Sequence, residues 1–185
     1  MPGSDARRGL ELVDVGGVGE GLLRPLGREL DRRFGTRAFT GPPLPLDPGW
    51  RDAESGQYGS GEVVDALVSR AEALGFPRLW SLGVTGADLG APGRTFVFGE
   101  ATVGGCCAVV STARLEGGGG AGRLRARLLS EAVHELGHVA GLEHCEKAGC
   151  VMHPSAVAEE VDRRGADFCA DCEAALRRAS VDLRA

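Results

Sequence analysis

Several residue types are scarce in this chain of 185 residues, and the scarcity excludes whole classes of protein. Isoleucine and asparagine are absent and Lys147 is the only lysine, which we interpret as a coding bias rather than as chemistry. No uncharged apolar run reaches the roughly 18 residues of a membrane-spanning helix. The 30 glycines follow no period, which excludes collagen and repeat arrays.

The composition is that of a folded, mildly acidic protein. Apolar residues make up 43% and charged residues 25% of the chain, as expected for one globular domain with its own core. The net charge of −5 argues against nucleic acid or an anionic membrane as a partner. No long apolar run follows the basic pair Arg7 and Arg8, so we expect no secretory signal and a cytoplasmic protein.

Hydrophobic periodicity predicts an α/β fold. Helices are predicted at residues 21–34, 62–74, 123–140 and 169–180. Strands are predicted at residues 10–15, 37–40, 78–85, 95–99 and 107–115, with a long loop at 41–61 and a flexible glycine tip at 117–120. The early alternation of strands and helices predicts parallel pairing with right-handed crossovers. The closely spaced later strands predict an antiparallel strand at an edge.

All four histidines lie close together, and the run HELGHVAGLEH contains three of them. On a helix, His134 and His138 lie one turn apart on the same face, so both imidazoles can bind one ion. Glu135 beside them can act as general base on a water at the metal. Gly141 permits a sharp turn that brings His144 as a third nitrogen ligand, leaving one position open as in catalytic zinc sites. A chance HExxH on a helix surface is the alternative, and it explains neither the glycine nor the third histidine.

Four cysteines follow as a CxxxxC and a CxxC pair: Cys145, Cys150, Cys169 and Cys172. Four thiolates form a closed zinc shell with no position for water, so we expect a structural ion. Because Cys145 directly follows His144, the two metals would share a backbone segment. A redox dithiol at Cys169 and Cys172 and a pair of disulfides are the alternatives, and a reducing compartment disfavours the disulfides.

These motifs, in this order, resemble the archaemetzincin family of metzincin-type metallopeptidases. The family signature is an elongated HExxHxxGxxH with an adjacent cysteine, a second cysteine, a methionine and a later CxxC. It is matched here by HELGHVAGLEHCEKAGCVM and CADC. The stretches RDAESGQYGSGEVVDAL, GVTGADL, FVFGEA and AVVSTARL extend the resemblance from about Arg51 onward. The spacing between Met152 and Cys169 departs from the family pattern by one residue, which shortens a loop and changes no ligand.

The resemblance implies a role for each matching residue. His134, His138 and His144 correspond to the ligands of the catalytic zinc, and Glu135 corresponds to the general base. Met152 corresponds to the methionine of the Met-turn beneath that zinc, and the four cysteines correspond to a second zinc site. The family also implies a mixed five-stranded sheet with its edge strand over the cleft and the active-site helix beneath.

We therefore predict a metzincin-like α/β fold with a mixed, mainly parallel five-stranded sheet, an antiparallel edge strand and an active-site helix. Residues 1–144 would form the catalytic subdomain, and residues 145–185 a small C-terminal subdomain with the Met-turn and the second zinc. We place the edge strand at residues 95–99, where an extended peptide would pair with unused main-chain groups.

The predicted function is a zinc metallopeptidase with two Zn²⁺ per chain, acting on a peptide or protein without a nucleic-acid or membrane partner. The resemblance suggests aminopeptidase activity. Another zinc hydrolase acting on a small amide is one alternative. A zinc-binding peptide-recognition protein with a catalytically silent site is the other, and the intact Glu135 argues against it.

Some residues near the motifs are given plainer interpretations. His153 could serve as an additional ligand, but three histidines already fill the site, so we expect it beside the site or at the surface. Cys106 and Cys107 are expected to be buried structural thiols, and Met152 has core packing as its alternative role. Tyr58 is the only tyrosine and does not follow Met152, so metzincins with an additional tyrosine ligand are not matched. The loop GGVGEG lacks the third glycine of GxGxxG, so we expect no nucleotide site.

Overall fold

The computed structural model describes residues 8–75 and 79–182. Its strands are β1 (Gly9–Val15), β2 (Arg37–Thr40), β3 (Tyr58–Gly59), β4 (Trp80–Thr85), β5 (Leu89–Ala91), β6 (Arg94–Val97), β7 (Gly99–Ala101) and β8 (Cys107–Ser111). Its helices are α1 (Glu20–Phe34), α2 (Ser60–Leu74), α3 (Gly120–Val139), α4 (Ala158–Arg164) and α5 (Ala170–Asp182), with a 3₁₀ turn at Pro48–Trp50.

The main sheet has the strand order β2-β1-β4-β8-β7. The pairs β1–β2, β1–β4 and β4–β8 are parallel, and β7 pairs antiparallel with β8 at the edge. This confirms the predicted fold class, a mixed and mainly parallel five-stranded sheet with an antiparallel edge strand. Helix α1 connects β1 to β2, α2 lies in the longer connection from β2 to β4, and β5, β6 and β7 lie between β4 and β8.

Alternating side chains of the sheet bury two separate cores. Leu10 and Leu12 of β1 belong to the larger core, which α1 and α3 cover. Val13 and Val15 of the same strand belong to the smaller core, which α2 covers. The successive residues of a strand point to opposite faces, so one apolar strand supplies both cores and places α3 opposite α2.

The prediction of one edge strand at residues 95–99 is wrong. The chain bends at Phe98, and the two sides of the bend belong to different sheets. The first part, β6, pairs antiparallel with β5 in a small three-stranded sheet of order β3-β5-β6. The second part, β7, is the edge strand of the main sheet. Phe98 itself is buried in the larger core. The apolar run that resembles one strand therefore consists of the end of β6 followed by a core residue.

Smaller differences occur at other element ends. The strand predicted at 107–115 ends at Ser111, where the Thr112 N–H turns to donate to Thr85 O (2.9 Å). Helix α3 begins at Gly120, inside the predicted glycine tip. Helix α4, with only seven residues, was not predicted because it is too short to show helical periodicity. The predicted strand start at Arg78 lies outside the described residues.

Candidate active site

Three histidines converge at the C-terminal end of α3. His134 and His138 lie one turn apart and are buried, and α3 ends at Val139. Gly141 follows with a φ of +92°, a conformation that a glycine adopts without strain, and the chain turns back to bring His144. Their ring nitrogens lie within 4.8 Å of one another. The structure thus brings all three sequence-predicted histidines into one cluster.

The hydrogen bonds of two rings leave their other nitrogens free for a cation. His134 Nδ1 lies 2.7 Å from Val151 O, and His138 Nδ1 lies 2.7 Å from Leu142 O. A carbonyl only accepts, so each Nδ1 carries the proton and each Nε2 presents a lone pair. The two Nε2 atoms face each other at 3.2 Å. Two nitrogens bound 2.0–2.1 Å from a tetrahedral zinc are about 3.3 Å apart, so the cluster fits that ion.

The environment keeps the three rings neutral, as metal ligands must be. Burial lowers the pKa of His134 to about 3, and the charge of Arg164 adds to the effect. Burial is also the main cause that lowers the pKa of His138 and of His144. Burial thus disfavours the cationic form of all three rings, which has no nitrogen lone pair for a metal.

Glu135 lies in the wall of a cavity of about 1260 Å³ that also exposes the three histidines. Burial, followed by the charge of Glu131, raises the pKa of Glu135 well above its usual range. A Cβ on Gly99 would lie 2.8 Å from both Cγ and Oε1 of Glu135, so the edge strand β7 packs directly on this carboxylate. The arrangement places an acid or base between the active-site helix and the strand that borders the cavity.

Met152 is fully buried against α3 at the level of the histidines. A Cβ on Gly137 would overlap Met152 Sδ and lie 3.1 Å from its Cε. Gly137 stands inside the HELGH motif, where its lack of a side chain lets the thioether approach the helix. Sequence reasoning selected Met152 but missed Gly137, whose place between the two histidines was the available signal.

The four predicted cysteines form a second cluster beside the first. The sulfur atoms of Cys145, Cys150, Cys169 and Cys172 lie within 4.8 Å of one another, and all six cysteines of the chain, which lie in its described part, are free thiols. Backbone hydrogen bonding by Cys172 is the first cause that lowers the pKa of Cys169 to about 7. Two sulfurs at 2.3 Å from a tetrahedral zinc are about 3.8 Å apart, and Cys145 and Cys169 Sγ lie 3.9 Å apart. The cluster therefore fits a closed zinc site.

A buried ion pair beneath the histidines was not predicted from the sequence. Arg164, at the end of α4, places Nη2 2.8 Å from Glu131 Oε1. Arg164 also lies against His134, and its Nη1 donates to His153 O (2.6 Å). Glu131 could have been found, because it stands three residues before His134 on the same helix face. No sequence pattern indicated Arg164, because its helix was not predicted.

Other residues of interest take structural places. His153 lies outside the histidine cluster, with Nδ1 2.9 Å from Cys145 O. Cys107 is buried, as expected, whereas Cys106 is only half-buried. Their sulfurs lie 3.3 Å apart, and burial raises the pKa of the Cys107 thiol, as expected of an unreactive residue.

The glycine loop after β1 does not offer its amides to a phosphate. The carboxylate of Asp14 accepts hydrogen bonds from the N–H groups of Gly17, Val18 and Gly19 at 2.7–2.9 Å. The chain's own carboxylate therefore occupies the position that an anionic ligand would take.

Of the helices that the structure describes, none has the length and hydrophobicity to cross a membrane.

Comparisons with known proteins agree with the geometry. Residues 50–178 match the model of peptidase family M54. The chain is 38% identical to the archaemetzincin of Archaeoglobus fulgidus over 160 residues, which is 86% of this chain and 94% of that protein. It is 43% identical to the archaemetzincin of Methanopyrus kandleri over 123 residues, 66% of this chain and 67% of that protein.

Solved structures are similar over nearly the whole chain. The crystal structure of the Methanopyrus kandleri archaemetzincin superposes with a TM-score of 0.85 at 31% identity, covering 98% of this chain and 99% of that one. The archaemetzincin of Archaeoglobus fulgidus complexed with malonate gives 0.79 at 34% identity, covering 90% and 99%.

Fold, site and relatives together define a zinc metallopeptidase, and they do not favour a catalytically silent peptide-binding protein. The resemblance inferred from the motifs is thereby confirmed. The chain belongs to peptidase family M54, the archaemetzincin family.

Proposed function

We propose that His134, His138 and His144 hold a catalytic zinc ion and that Glu135 is the general base of peptide-bond hydrolysis. The observation that carries the proposal is the facing pair of Nε2 atoms, each with its Nδ1 hydrogen bonded to a carbonyl. Neither nitrogen has a proton to offer the other, so a cation between them satisfies both lone pairs.

A zinc ion in that place supplies a Lewis acid for the scissile carbonyl and lowers the pKa of water to roughly 7. Glu135 takes the proton from the attacking water and then passes it to the leaving amine. Burial raises the pKa of Glu135, which strengthens its carboxylate as a base toward that water.

The substrate is proposed to be an extended peptide that lies along β7. This strand pairs with β8 on one side, and its other side borders the cavity that contains Glu135. Unpaired N–H and C=O groups of an edge strand can pair with the substrate main chain and carry its carbonyl to the zinc. Main-chain pairing fixes register but not side-chain identity. Comparing peptides with free and acetylated N-termini tests whether the enzyme is an aminopeptidase.

We propose a second, structural zinc ion in the cluster of four cysteines and a Met-turn role for Met152. The C-terminal part from residue 145 would then be a small subdomain organised by that ion. Four free thiols at metal-binding distance suit a reducing compartment, so we propose a cytoplasmic location.

The test combines metal analysis with turnover of Glu135→Gln. Two zinc ions per chain are expected in both proteins, with a mild chelator removing one of them first. Hydrolysis of a peptide mixture should fall by roughly 10²–10⁴-fold in the variant, because Gln keeps the shape but cannot take a proton. Unchanged activity, or loss of zinc from the variant, would contradict the role of Glu135. A single zinc ion in the wild type would contradict the two-site proposal.

A further inference from the structure

We propose that Arg164 is a positioning residue for the metal site, which locks the ring of His134 and the backbone around Met152 in the geometry that binds zinc. The inference rests on the proposed function, because it takes the three histidines as metal ligands. Arg164 is far from them in sequence and belongs to α4, an element that carries no proposed ligand.

The contacts of Arg164 join three parts of the site. The residue is 4% exposed. Its Nε donates to Ser130 Oγ (3.2 Å) on α3, and its Nη1 donates to His153 O (2.6 Å) just after Met152. The same Nη1 lies 3.2 Å from His134 Nδ1. One guanidinium thus touches the active-site helix, a ligand ring and the segment beneath the metal.

The contact between Arg164 and His134 restricts the ring sterically and is not a hydrogen bond. His134 Nδ1 already points its proton at Val151 O, and a protonated nitrogen cannot accept from Arg164. The carbonyl and the guanidinium therefore both contact the imidazole at Nδ1. Without the guanidinium, the ring of His134 would be free to turn its Nε2 away from the other histidines.

The backbone contact reinforces the same geometry. Val151 O, which accepts from His134, and His153 O, which accepts from Arg164, flank Met152 in one short segment. Arg164 therefore holds in place the carbonyl that orients the ligand. Both interactions concern groups behind a ligand, and removal of such partners typically costs 10–100-fold in metal affinity.

Glu131 makes a cation in this place tolerable. It is 3% exposed, and its Oε1 lies 2.8 Å from Arg164 Nη2. A buried guanidinium close to a divalent ion needs such a countercharge. Glu131 therefore places a carboxyl group against the buried guanidinium, although burial raises the pKa of that carboxyl.

Arg127 is a matched control for the structural role of Arg164. It is 3% exposed and lies on α3. Like Arg164, it ties α3 to α4, through Asp162, with Nε–Oδ1 and Nη2–Oδ2 distances of 2.8 Å. Its hydrogen bonds go to Asp162 and to the carbonyls of Leu115 and Gly117, which lie outside the histidine cluster. A residue that merely docks α4 would resemble Arg127 in every measurement.

The experiment compares wild type, Arg164→Met, Arg164→Lys and Arg127→Met as full-length, zinc-loaded proteins. The affinity of the histidine site for zinc is measured by competition with a chromophoric chelator, and the visible absorption is recorded after refilling that site with Co²⁺. We expect Arg164→Met to lose 10–100-fold in affinity and to change the cobalt spectrum. Arg164→Lys should lie between it and wild type. Arg127→Met should stay within about twofold, although both methionine variants unfold more easily.

Equal zinc affinities for the two methionine variants would overturn the inference. If Arg164→Met does not fold, Arg164→Lys decides, because lysine keeps the charge but cannot reach His153 O and Ser130 as a planar fork. Wild-type affinity and an unchanged cobalt spectrum in that variant would also overturn it. A wild-type protein that binds no metal at the histidines would overturn the proposed function itself, so the two failures are distinguishable.

Discussion

Replacement of Gly99 by alanine should disable the enzyme without emptying its metal sites. A Cβ at this position of β7 would lie 2.6 Å from Val109 O and 2.8 Å from Cγ and Oε1 of Glu135. Carbon–oxygen contacts between neighbouring strands are roughly 3.3–3.6 Å. The backbone of β7 must withdraw from Val109 O by about 0.7–1.0 Å, and the carboxylate of Glu135 must turn aside by about 0.5–0.8 Å.

The expected magnitudes follow from that displacement. Overpacking of a buried contact costs about 1–3 kcal/mol, so the free energy of unfolding should fall by this amount. A misplacement of about 1 Å at a reacting group costs roughly 10²-fold in rate, so kcat should fall by two decades. The atoms nearest to the added Cβ belong to Val109 and Glu135 and not to a predicted ligand, so the zinc content should not change.

The assay measures initial rates on a peptide mixture, urea unfolding and zinc content for Gly99→Ala and for a control, Gly61→Ala. Gly61 lies in the first turn of α2, where a Cβ would make an ordinary contact of 3.9 Å with Glu100 Oε1. The control should not be destabilised, because alanine is a better helix former than glycine, and it should keep near wild-type activity. If Gly99→Ala matches the control in both rate and stability, the packing of Glu135 against β7 is refuted. A loss of stability with unchanged kcat would refute the displacement of Glu135 alone.

Two further predictions concern stability. Gly137→Ala should destabilise the fold by about 1–3 kcal/mol through overlap with Met152. Gly122→Ala on the same helix, where a Cβ meets nothing within 4 Å, should instead stabilise the fold by about 0.5–1 kcal/mol. Urea unfolding that gives the same sign for both variants would contradict this prediction. Hydrogen bonding from Arg127 lowers the pKa of Asp162 to about 2, below the unfolded value of about 3.9. Its contribution is therefore present above about pH 4 and lost as the pH falls toward 2. The stability gap between wild type and Asp162→Asn should accordingly be larger at pH 6 than at pH 3, and a gap that widens in acid would show the opposite linkage.

The sequence was most informative where chemistry fixes spacing. Two imidazoles on one helix face can grip an ion only at a separation of one turn, and His134 and His138 stand at that separation. The turn at Gly141 requires a positive φ, and a glycine at that position indicates that such a turn is possible. Convergence of the histidines and of the cysteines could therefore be predicted from rare residues alone.

Long-range packing left weaker signals. The bend at Phe98 divides one apolar run between two sheets, and nothing in the alternation of residues marks it. Helix α4 spans less than two full turns beyond its caps, so its periodicity is too short to recognise. The position of Arg164 could not be predicted without that helix, because a buried arginine cannot be distinguished in the sequence from the exposed arginines around it.

The two clusters are mechanically joined rather than merely adjacent. His144 and Cys145 are consecutive, so one peptide bond connects a histidine ligand position to a thiol of the other cluster. The Cys145 N–H donates to Met152 O (3.0 Å), and His153 Nδ1 lies 2.9 Å from Cys145 O. A displacement of Cys145 must therefore move His144 directly and the segment around Met152 through two hydrogen bonds. Because that segment also carries the carbonyl hydrogen bonded to His134, we expect loss of order in the cysteine cluster to disturb both His144 and His134.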